Sequence, residues 1–143
     1  MNIYLDTEFN GFGGQLISMA MVCPDGRGFY HVRELPARID PWVEKHVVPM
    51  LGTSDRLLDE EFRAEFHQFL MGFQNPTIIC DWHADAVHFF NWMAGIDYGS
   101  SLDFACQMRV LKTPPGYPVS KQPHNALADA IALMEWFEGR AAA

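Results

Sequence analysis

Residues 2–33 read NIYLDTEFNGFGGQLISMAMVCPDGRGFYHVR, and the fold is decided in this stretch. Asn2 to Asp6 is short and β-like, Gln15 to Cys23 is an apolar run with Ile, Met and Val, and Gly28 to Arg33 is aromatic and β-branched. Asn10-Gly11 with Gly13-Gly14 separates the first pair, and Pro24-Asp25-Gly26 separates the second; both compositions make tight turns. Three strands joined this way predict an antiparallel meander. The glycines at 11, 13 and 14 do not form a phosphate loop, because no Lys-Ser/Thr pair follows them and no helix starts there.

Further along, the period of the apolar residues changes. From Asp59 to Met71 the positions Phe62, Phe66, Phe69 and Leu70 recur at helical spacing, and Asp59, Glu60 and Glu61 suit a helix N-terminus. Pro76 to Asp81 predicts a buried strand and Ala84 to Met93 a helix that ends before Gly95. Ser101 to Phe104 is the candidate for a last short strand, and Thr113 to Pro123, with four prolines and a glycine, predicts a loop. A final helix over Asn125 to Glu138 is expected to stop at Gly139. Its apolar stripe is Leu127, Ala130, Ile131, Met134 and Phe137, with Ala128 and Ala132 on the outer side. Together these elements predict an α/β fold with a mixed five-stranded sheet, a meander plus parallel strands, flanked by helices.

The chain has 143 residues, a size suited to a single domain over residues 1–143. Hydrophobic residues make up 49% and charged residues 20%, which excludes a disordered chain. A net charge of −8 argues against a broad basic face for nucleic acid, but not against an acidic enzyme that brings in phosphate through divalent metals. Cys23, Cys80 and Cys106 are odd in number and have no CxxC spacing, which disfavours a disulfide framework and a thiolate zinc site. No basic start leads into an apolar leader and no run approaches membrane-spanning length, so no membrane association and a cytoplasmic location are expected.

The carboxylates are the chemically informative residues. Asp6 and Glu8 stand two apart at the end of the first strand and so project from one face. Asp85 lies near the start of the helix after the Pro76–Asp81 strand, where α/β sheets form ligand crevices; Asp81 is its rival at the strand end. Asp129 falls off the apolar stripe of the last helix. His124, five residues earlier, belongs to the loop that enters this helix rather than to the helix itself. Taken one at a time these are a solvated strand end, a helix-dipole carboxylate and surface residues. As a set in this order they are an oxygen-ligand group for two hard cations, with one imidazole able to take a proton from water near neutral pH.

Three segments resemble the motifs of the DEDDh exonucleases, a family within the RNase H-like superfamily that includes proofreading exonuclease domains, oligoribonuclease and RNase T-like exoribonucleases. They are Asp6-Thr7-Glu8-Phe9-Asn10-Gly11, Ile79 to Phe90 with its aspartate at Asp85, and His124-Asn125-Ala126-Leu127-Ala128-Asp129-Ala130. The resemblance covers almost the whole chain and implies an RNase H-like fold. It implies a 3'-to-5' exonuclease that releases nucleoside 5'-monophosphates with two Mg2+ or Mn2+ ions. Asp6, Glu8 and Asp129 would hold one ion, Asp6 with Asp85 the other, and His124 would be the general base. Thr7, Phe9 and Asn10 of the first motif would receive the terminal nucleotide, though Phe9 also reads as a core residue; Trp82 is, from its aromatic side chain alone, a further candidate for stacking on substrate. The substrate class implied is the 3' end of single-stranded RNA, or DNA, and relatives are commonly homodimers. Many members have Asn four residues before the second-motif aspartate; Asp81 stands there, a departure that bears on substrate preference.

Phe89, Phe90, Trp92, Trp136 and Phe137 are read as core, because aromatic residues at helical spacing usually fill one. Two other functions fit the same pattern. One is a non-catalytic nucleic-acid-binding or interaction domain of this fold, and the other is a metal phosphohydrolase acting on nucleotides.

Overall fold

The computed structural model describes all 143 residues. Its centre is one six-stranded mixed sheet: β1 (Asn2–Phe9), β2 (Leu16–Val22), β3 (Gly28–Arg33), β4 (Arg56–Leu57), β5 (Thr77–Cys80) and β6 (Gln107–Val110), in the order β4-β3-β2-β1-β5-β6. The helices are α1 (Pro41–His46), α2 (Asp59–Leu70), α3 (His83–Ala94) and α4 (Ala126–Ala141), with a 3-10 turn at Val48–Leu51. No helix is long and apolar enough to cross a membrane.

The meander forms as expected: β1 pairs antiparallel with β2, and β2 with β3. Two glycines shape the first turn. Gly11 takes φ 75°, which favours glycine, and a Cβ on Gly14 would meet the Asn10 carbonyl at 1.9 Å. β1 then pairs in parallel with β5, and β5 in parallel with β6, so the C-terminal ends of three strands face the same way. All seven residues of β2 are buried, as a central strand with both faces covered requires.

The core is layered. On one face α2 and α3 pack Phe62, Phe66, Phe89 and Trp92 against Leu5, Met19, Met21 and Ile78. On the other, Ala126, Ala130 and Leu133 of α4 meet Tyr4, Ala20 and Ile79; their small side chains bring the helix close to the sheet. A third cluster of Ile17, Val32, Val43, Val47 and Leu51 seats α1 and the 3-10 turn against β2 and β3.

Several sequence expectations are corrected. The sheet has six strands rather than five, because Arg56–Leu57 adds a two-residue parallel strand beside β3. Ser101–Phe104 is not a strand; the strand is Gln107–Val110, whose pairing with β5 defines it although its side chains are mostly exposed. α4 runs through Gly139, which sits exposed near the helix end where its lack of a side chain costs little. Ala132 is buried rather than outward, so the buried face of α4 is turned toward Ala126, Ala130 and Leu133. Phe90 is 43% exposed, while Trp136 and Phe137 are only partly buried. Phe89 and Trp92 are fully buried, and all three cysteines are free.

Candidate metal centre

Asp6 and Glu8 lie on β1 opposite two small residues of β2, Ala20 and Ser18. Parallel pairing of β1 with β5, in which Tyr4 faces Ile79, brings the end of β5 alongside Asp6. Asp81 follows β5 directly, and Asp85 sits in the first turn of α3, 1% exposed. Thr7 fixes Asp85 by donating twice to its Oδ1, from the backbone N–H at 3.1 Å and the hydroxyl at 2.6 Å. Asp129 arrives from the first turn of α4, and its Oδ2 accepts a hydrogen bond from the His124 backbone N–H at 3.1 Å.

His124 has φ 67°, an uncommon conformation for a residue with a side chain, at the point where the proline-rich loop turns into α4. Asn125, next to it, holds that turn. Its Oδ1 caps the helix by accepting from Ala128 N–H at 3.0 Å, and its amide donates to the Met50 carbonyl at 2.8 Å and the Tyr30 hydroxyl at 3.3 Å. Asn125→Ala removes a cap and leaves a carbonyl without its donor, so urea denaturation is expected to show a loss of about 2 kcal/mol. A loss below ~0.5 kcal/mol, the level of an ordinary surface change, would show that the turn is held by other contacts.

Two groups of carboxylates result. In one, ligand atoms of Asp6, Asp81 and Asp85 all lie within 4.8 Å of one another; in the other, those of Asp6, Glu8 and Asp129 do. Asp6 belongs to both. Asp6 Oδ2 and Asp85 Oδ2 are buried without any hydrogen-bond partner. Burial first, and then the neighbouring carboxylates, hold Asp6 well above the usual carboxylate range. The same causes push Glu8 to about 8. Burial raises Asp85 to about 7 against the opposing hydrogen bonds from Thr7. Asp81 and Asp129 are also raised, chiefly by burial. Five acids whose ionisation is opposed by burial and by one another, two of them with orphaned buried oxygens, form a group that could hold a metal ion. The donors are all oxygens, which suits Mg2+ or Mn2+ and not zinc held by thiolates.

A cleft of about 580 Å³ opens on this cluster. Asp6, Glu8, Asp129 and His124 line it, while Asp85 lies beneath it. Phe9 and Trp82 form one wall, their rings 5.6 Å apart, with Phe12 packed edge-on to Trp82. The Phe9 ring is half-buried, backed from inside by His88 at 4.7 Å, and it still reaches the cleft, so its two readings combine. Trp42 also lines the cleft and meets the His124 ring edge-on at 5.1 Å.

Sequence reasoning missed Trp42, Phe12 and Asp40 as cleft residues. The usable signal was Asp40-Pro41, a helix cap followed by proline at the first helical position, which announces the short helix that carries Trp42. Asn10, expected to receive substrate, does not line the cleft. Its amide donates to the Arg38 carbonyl at 2.8 Å and its Oδ1 accepts from Asp40 N–H at 2.7 Å, tethering α1 to the first hairpin.

No protein-family model matches the chain, and no curated protein matches it.

Proposed function

We propose that this chain is a metal-dependent phosphodiester hydrolase. More particularly, it is a 3'-to-5' exonuclease of the DEDDh type on an RNase H-like fold, acting on single strands and preferentially on RNA. The observation that carries the reading is the pair of adjacent oxygen-only groups sharing Asp6, set beside His124 in an aromatic cleft. The strand order β3-β2-β1-β5-β6, an antiparallel meander continued by parallel strands, agrees with that fold family.

Asp6, Glu8 and Asp129 would hold one cation, and Asp6, Asp85 and Asp81 the other. When bound, the cations lower the pKa of water and neutralise charge on the phosphate. The remaining work falls to the protein's own residues. Thr7 holds the Asp85 carboxylate in one orientation, and the His124 peptide N–H does the same for Asp129. The His124 imidazole accepts the proton of the attacking water. Phe9, Trp82 and Trp42, all lining the cleft, offer rings for stacking to the bases at the 3' end. The product is a nucleoside 5'-monophosphate and a strand shorter by one residue.

The test is digestion of 5'-labelled single-stranded RNA and DNA in Mg2+ or Mn2+, resolved at single-nucleotide steps. A stepwise ladder from the 3' end is expected, faster on RNA. Loss of the general base in His124→Ala is expected to slow it by about 10²- to 10⁴-fold without abolishing it. A folded wild-type protein that shortens neither polymer with either metal would overturn the reading.

A further inference from the structure

A second cluster stands on the flank of the sheet, where the edge strand β6 meets the C-terminal half of α4. Arg109, Lys112 and Arg140 supply three of the ten Lys and Arg residues in a chain of net charge −8. All three are exposed and none forms an ion pair. The Arg109 guanidinium lies 5.3 Å from the centre of the Phe137 ring, and that of Arg140 lies 4.8 Å from Trp136. These side chains border a groove of about 390 Å³. Glu138, the carboxylate close by on α4, is engaged with the Tyr4 hydroxyl and Asn2. A guanidinium laid on a ring is restricted in its rotamers while its in-plane N–H donors stay available, the state that suits a phosphate.

The cluster shares two elements with the carboxylate groups, the β5–β6 end of the sheet and helix α4. Leu111 N–H donates to the Cys80 carbonyl at 2.8 Å, so Lys112 emerges at the same end of the sheet as Asp81. Along α4, Trp136 and Arg140 follow Asp129 by about 10 and 16 Å at ~1.5 Å per residue. At ~3.4 Å per stacked nucleotide that separation corresponds to about three to five nucleotides. A carboxylate-lined centre repels the rest of a polyanionic strand, and three unpaired cations spread from the Asp81 end of the sheet to the end of α4 counter that repulsion.

We propose that Arg109, Lys112 and Arg140 form an upstream subsite that grips backbone phosphates of a single strand about three to five nucleotides on the 5' side of the bond cut at the metal centre. The inference rests on the exonuclease reading, and its test measures binding, not cleavage. Fluorescence anisotropy of a 5'-labelled RNA decamer and trinucleotide is followed against salt, in an Asp6→Asn background that prevents shortening. Combining Arg109→Gln, Lys112→Gln and Arg140→Gln is expected to weaken decamer binding roughly tenfold at low salt. The slope of log affinity against log salt should fall by about 2, since each phosphate contact on a single strand contributes ~0.7. Trinucleotide binding stays unchanged, and Arg109→Lys with Arg140→Lys keeps the slope because the charges remain. An unaltered slope in the triple variant, or a decamer bound no more tightly than the trinucleotide, overturns the proposal. Failure of the exonuclease reading shows separately, as an undigested ladder with the wild-type protein.

Discussion

If the chain is the exonuclease proposed, Asp6→Asn is expected to lower the rate of strand shortening by about 10³-fold or more, equivalent to ~4 kcal/mol of barrier. Asp6 is the one carboxylate common to both groups, so removing its charge would weaken both proposed cation positions at once. Asn is close to isosteric with Asp, and the neighbouring Leu5 and Thr7 keep their packing, so the fold is retained. Asp85→Asn opens one group only, and Asp129→Asn the other. Single-turnover shortening of 5'-labelled RNA in Mn2+, with circular dichroism as the folding control, is the measurement. An Asp6→Asn rate within tenfold of wild type would remove Asp6 from the centre and with it the two-cation arrangement.

The second large effect concerns stability. Asp6, Glu8, Asp81, Asp85 and Asp129 are all raised above their ordinary values of 3.8 to 4.5, Asp85 to about 7 and Glu8 to about 8. A carboxyl group whose folded value is raised favours the folded state below its unfolded value. It loses that contribution as pH rises, because the unfolded chain gives up the proton first. In EDTA the melting temperature is therefore expected to fall steadily as pH rises from about 4 to about 8. Mn2+ at a hundred times its dissociation constant is expected to restore ~2.7 kcal/mol for each cation bound. For a chain of 143 residues that is about 9 °C per cation, at ~2.1 cal/mol/K of unfolding entropy per residue. In Asp6→Asn the metal-free protein should melt higher than wild type above pH 7, and the response to Mn2+ should disappear. A wild-type melting temperature in EDTA that is flat or rising between pH 5 and 8 would contradict the repulsive cluster.

What was legible in the chain followed from local periodicity. The period of two put Asp6 and Glu8 on one face of β1. Helical spacing placed Phe62 and Phe66 in the core, and the five-residue interval put His124 outside the helix of Asp129. Elements too short to show a period were not legible. α1 has six residues and β4 two, and the cleft wall carrying Trp42 was therefore invisible. β6 was misplaced for a related reason. As an edge strand with mostly exposed side chains it has no apolar alternation, and only hydrogen bonding to β5 makes it a strand.

By itself the sequence determined which residues carry charge, which segments are the meander strands, the central strand β5 and the long helices, and the order in which the acids occur. The tertiary structure alone decided that they meet. Parallel pairing of β1 with β5 joins segments some seventy residues apart, and close packing of α4 through Ala126 and Ala130 brings Asp129 to the same place. That convergence brings the ligand oxygens within 4.8 Å of one another and orphans Oδ2 of Asp6 and of Asp85, while Asn10 is held away from the cleft as a tether. Register between distant strands and the depth of a helix on a sheet depend on the whole core, so no window of sequence contains them.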